Sequence, residues 1–95
     1  MVSTARLLLM LYLPNSHSLK QKRSYIQSIL KKTHNQFNVA TAELDHQDIW
    51  QTSLIGITAI GSDTVILKNL MRIVEEYIEE NWPDIQITET IFDLL

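Results

Sequence analysis

The spacing of apolar positions along the chain switches between two periods. From Thr4 to Leu13 nearly every position is apolar, which predicts a strand covered on both faces, or one whose second face is an interface. Pro14 ends it, and Pro14-Asn15-Ser16-His17 has turn chemistry. A helical period follows, with Leu19, Ile26, Ile29, Leu30 and Thr33 on one face and Tyr25 at its margin. Ser18 is placed to cap this helix and Gln21 to complete a capping box, so the helix is expected to run towards Asn35. Period two returns from about Phe37 to Asp45. Phe37, Val39, Thr41, Glu43 and Asp45 then fall on one side, and Asn38, Ala40, Ala42 and Leu44 on the other. Neither set is purely apolar, which suits an edge strand. From about Gln51 to Gly61 both alternating sets are largely apolar, the pattern of a central strand. Ser62 or Asp63 caps a second helix over Thr64 to Asn81, whose expected buried stripe is Ile66, Leu70, Ile73, Val74, Tyr77 and Ile78. Trp82-Pro83 stops it. A last strand runs from Ile85 to about Phe92, with Ile85, Ile87 and Ile91 facing one way and Glu89 interrupting them.

The element order is therefore β-α-β-β-α-β. Right-handed crossovers place the third strand beside the first, giving an antiparallel sheet of order 4-1-3-2 with two helices on one face. This is an α+β, ferredoxin-like sandwich, expected to fill residues 1–95 as one domain. One sheet face is left uncovered, yet the first and third strands carry apolar residues on both sides. A homodimer through that open face is the expected resolution.

Composition narrows the classes. Hydrophobic residues make up 45% and charged residues 20% of the chain, and with Gly 2 and Pro 2 there is little room for disordered linkers. The absence of cysteine removes thiol chemistry and cysteine-type zinc sites, and fits a reducing compartment. Leu7 to Leu13 lacks a strongly basic head and a following small-residue cleavage site, and is too short to span a bilayer. A buried strand in a cytoplasmic protein with no membrane partner is expected. A net charge of -3 argues against bulk non-specific nucleic-acid binding, and no DNA-binding motif is present, but the charges are unevenly placed.

Lys20, Lys22, Arg23, Lys31 and Lys32 all lie on the first helix with no acid among them. The first three sit at the positive end of the helix dipole, where they are disfavoured and need a reason. The topology brings His17, Lys20, Lys22 and Arg23 to one end of the molecule with Asp45, His46, Asp48, Trp50, Glu79, Glu80 and Trp82. Two readings follow. In one, Asp45 or Asp48 neutralises Lys22 or Arg23 in a structural ion pair. In the other, the helix contacts phosphates of RNA, since the central strands lack the aromatic pair that would stack bases. Trp50 is either a plug closing the sheet end or a stacking or interface residue. His17 reads as a turn or capping group. Asp45, His46 and Asp48 are the candidates for a small-ligand or catalytic site, but their spacing matches no strong metal motif. With no nucleophile motif, Walker loop or G-x-G-x-x-G, a non-enzymatic binding protein without cofactor or metal is favoured.

Two motifs resemble a known family. Leu13-Pro14, His17-Ser18-Leu19-Lys20 and Lys22-Arg23 look like the opening of the YlxP-like (DUF503) family of bacterial proteins. Phe37-Asn38-Val39, Ala42-Glu43, Asp45-His46-Gln47-Asp48, Trp50-Gln51 and Leu54-Ile55-Gly56 resemble its central signature. The family's recurring residues correspond to His17, Ser18, Leu19, Lys20, Lys22, Arg23, Glu43, Asp45, Asp48 and Trp50, while Asn15-Ser16 stands where a Gly-containing pair is commoner. The resemblance implies a ferredoxin-like fold and supplies no catalytic residues. Its gene neighbourhood, near translation initiation factor two and ribosome-binding factor A, implies ribosomal RNA or a ribosomal protein as partner.

Overall fold

The N-terminal apolar run forms β1 (Ser3–Tyr12), one of two central strands in the computed structural model, which describes residues 1–95. After it come α1 (Leu19–Gln36), β2 (Ala40–Asp45), β3 (Thr52–Gly61), α2 (Thr64–Asn81) and β4 (Gln86–Leu94). The strands form an antiparallel sheet of order β2-β3-β1-β4, as the crossover argument requires.

Alternation along β1 and β3 divides the sheet into two faces. Ala5, Leu7, Leu9 and Leu11 join Ile55, Ile57 and Ala59 in one buried cluster with Ile26 and Ile29 of α1 and Leu67, Met71, Val74 and Ile78 of α2. Both helices thus cover the same side. The alternate residues, among them Leu8, Met10, Leu54 and Gly56, are only partly buried.

Three details depart from the simple pattern. Of the expected stripe of α2, Val74 and Ile78 are buried and Leu70 and Tyr77 pack at the core's margin, but Ile66 and Ile73 are 65% and 42% exposed, and Leu67 and Met71 are buried in their place. This helix carries apolar residues over so wide an arc that its sequence leaves the orientation open. In β2, Glu43 pairs with Ile55 but Asp45 pairs with Leu54, so Leu44 is the extra residue of a bulge. Glu43 therefore faces the helices and Asp45 the other side, although a regular strand would put them together. In β4 the register shifts at Thr88, so Ile87 packs on the helix-side core whereas Ile91 pairs with Leu8 on the open face.

No helix is long and apolar enough to cross a membrane.

Candidate functional site

The end of the molecule around the β1–α1 turn is built on a tight hydrogen-bond frame. Leu13 N–H donates to Gln51 O at 2.7 Å, which ties the turn to the start of β3. Ser18 has extended backbone geometry, and its Oγ accepts from Gln21 N–H at 3.1 Å. Gln21 Oε1 reaches back to accept from His17 N–H at 2.7 Å. This is the expected capping box, with its return arm displaced by one residue. Ser18→Ala is expected to cost about 1 kcal/mol, read from the urea midpoint at constant slope.

Lys22 occupies the same helical azimuth as Ile26, Ile29 and Thr33, and all four are buried. Its side chain is 0% exposed. Nζ lies 2.8 Å from Glu43 Oε2 and also donates to the His46 carbonyl. Glu43 Oε2 accepts a further hydrogen bond from Ser53 Oγ at 2.6 Å. A buried ammonium is tolerated only with partners of this kind, a carboxylate and a carbonyl in place of water. Of the three positive charges at the helix start, that of Lys22 is thus answered inside the fold, by Glu43 and not by Asp45 or Asp48. The bulge at Leu44 is the cause, because it turns Asp45 to the opposite side. Expected among the residues that meet a partner, Lys22 instead has no exposed side-chain surface to offer one.

The same bonds shape the β2–β3 connection. His46 has φ 64, a left-handed conformation rare outside glycine. Asp45 Oδ1 accepts from the His46 N–H at 2.8 Å, and the His46 carbonyl accepts from Ile49 N–H at 3.1 Å as well as from Lys22. His46 Nδ1 lies 2.8 Å from Thr52 Oγ1. Asp45 and His46 are therefore engaged in holding their own loop, and no group of three or more His, Cys, Asp or Glu side chains converges as a metal site would require. On this loop Trp50 is 52% exposed, so it does not plug the core, and Asp48 is exposed beside it.

The other basic residues of α1 turn outward. Lys20, Arg23 and Lys31 are exposed, and none takes part in an ion pair. With Gln27 and His34 they recur at steps of three and four, making one stripe about 21 Å long. His34 Nδ1–H donates to Val39 O at 2.7 Å, which leaves Nε2 directed away from that bond. Lys32 lies on a different side, its Nζ 5.9 Å from the Trp82 ring centroid. Trp82 in turn packs edge-on against Tyr77, which meets Phe37 in the same manner. His17 is exposed at the turn. The acidic residues Glu79 and Glu80 at the end of α2 form no ion pair with α1. The stripe and its spacing were the part the sequence understated, since Gln27 and His34 belong to it by helical position alone.

These features define a small α+β protein with a buried lysine–glutamate pair behind an outward basic helix face. The chain belongs to the family described as "Protein of unknown function (DUF503)", whose model matches residues 4–91. It is similar to "Uncharacterized protein YlxP" of Bacillus subtilis (strain 168), with 37% identity over 73 residues that cover 77% of this chain and 78% of the relative.

Proposed function

We propose that this protein is a non-enzymatic RNA-binding factor of ferredoxin-like fold that uses the exposed side of α1 to contact phosphates, in the setting of ribosome assembly or translation. The observation that carries this reading is the stripe of Lys20, Arg23 and Lys31, which is exposed and has no internal carboxylate partner. The molecule has net charge -3, so an unneutralised basic face is a local concentration of charge and not a reflection of the whole. The open sheet face offers Tyr12 but no pair of aromatics for base stacking, which directs RNA to the helix and to its backbone. Trp50, exposed on the neighbouring loop, supplies one surface on which an unpaired base can stack. The ribosomal setting rests on the family resemblance.

In-cell crosslinking with parallel readout of RNA and protein tests this. RNA crosslinked to peptides of α1 or the Trp50 loop is the expected result. Recovery of protein partners alone, with no RNA on those peptides, would overturn it in favour of a ribosomal-protein contact.

A further inference from the structure

We propose that the open sheet face is the interface of a homodimer, in which a second copy packs face to face about a two-fold axis running parallel to the strands. The argument begins with one row across the sheet. Ala42 pairs with Gly56, Gly56 with Leu8, and Leu8 with Ile91, so these four positions lie side by side on the open face. The β2–β3 half of the row is small and the β1–β4 half is large. A groove of about 190 Å³ lies over the small half, lined by Ala40, Ala42, Leu44 and Gly56, with Leu8 as one wall. Gly56 lets Leu44 lie close against the strand, since a Cβ at this position would stand 2.7 Å from Leu44 Cδ1 and push that side chain aside. The large half ends in Ile91, which is 43% exposed.

A two-fold axis in the interface and parallel to the strands lays β1 of one copy over β3 of the other, and β4 over β2. Leu8 and Ile91 of each copy then face Gly56 and Ala42 of its mate, large against small, twice. An axis perpendicular to the strands lays each strand over itself, so large residues collide and the grooves stay empty. The face is thus self-complementary in the sense an isologous contact needs. The Thr58–Arg6–Asp93 row contributes no unpaired charge, because Arg6 Nη2 and Asp93 Oδ2 already meet at 2.7 Å. The Leu54–Met10 row ends in Asp45 and Glu89, which meet across the solvated rim, where screening keeps repulsion small.

The area is sufficient. Strands of 10, 6, 10 and 9 residues, at a rise of about 3.3 Å and a spacing of about 4.8 Å, give roughly 550 Å² of flat face per copy. Two such faces bury about 1,100 Å², which clears the roughly 1,000 Å² expected of a biological interface. The product is a four-layer particle with both helix layers outside.

Sedimentation equilibrium of the full chain, over a range of concentrations, tests the assignment. The expected mass is twice 11.0 kDa, falling to 11.0 kDa in Ile91→Asp with unchanged far-UV circular dichroism. Ala42→Leu fills the groove without adding charge and is also expected to be monomeric, which keeps the test intact if Ile91→Asp does not fold. A wild-type chain that stays at 11.0 kDa overturns the proposal, and uptake of an apolar dye by that monomer would give the face to a small apolar ligand instead. Dimers that survive both substitutions overturn it too, since the contact then lies elsewhere.

Discussion

Glu43→Ala is expected to destabilise the fold by about 3–5 kcal/mol, the cost of leaving a buried charge without its counterion. Lys22 is 0% exposed and cannot turn to water without moving α1, so its ammonium would keep only the His46 carbonyl. Against a total stability of about 5–15 kcal/mol, the loss should be plain in the urea midpoint and in a Tm lower by roughly 15 °C or more. Lys22→Ala is expected to cost less, because Glu43 is 17% exposed and retains the hydroxyl of Ser53. The double variant Lys22→Met with Glu43→Gln should recover much of the deficit, since it leaves no charge buried and keeps an acceptor for Ser53. A Glu43→Ala protein as stable as the wild type would show that the pair is not sealed from solvent.

The second large effect concerns binding. Replacing Lys20, Arg23 and Lys31 together by Gln should leave stability within about 0.5 kcal/mol, because all three are exposed and unpaired. Each phosphate contact contributes about 0.7 to the slope of log affinity against log salt for single strands and about 0.9 for duplexes. The triple variant is therefore expected to lose about 2 to 3 from that slope, with affinity falling most at low salt. Lys68→Gln, an exposed change on α2, should leave the slope unaltered. An unchanged slope in the triple variant would remove α1 from the RNA contact altogether.

The two results separate what one basic segment does. Lys20, Lys22 and Arg23 look alike in the sequence, and a helix start crowded with positive charge reads as a single patch. Helical geometry divides it: Lys22 shares an azimuth with Ile26 and Ile29, a placement that the spacing contained and that its charge concealed. The element order, the central position of β1 and β3, the edge position of β2 and the Ser18 cap follow from periodicity and cap chemistry, which narrow the second cap to Ser62 or Asp63, of which the fold uses Asp63. The facing of Asp45 and Ile91 does not. Each lies beyond a bulge, and one inserted residue reverses the side on which all later residues point. Periodicity has no term for an insertion, so it groups Asp45 with Glu43, and Ile91 with Ile87.

The placement of β4 has a consequence for the order in which the chain can be completed during synthesis. β1 is made first, but its outer edge is closed only by β4, the last strand, where Thr4 N–H donates to Leu95 O and Leu95 N–H to Thr4 O. Until then a ten-residue apolar strand keeps an unpaired edge while α1, β2, β3 and α2 emerge. That edge is a template for pairing with any extended chain nearby. Truncation before β4 should therefore yield aggregation and not a smaller folded unit, and the nascent protein is most exposed to that hazard just before its final strand arrives.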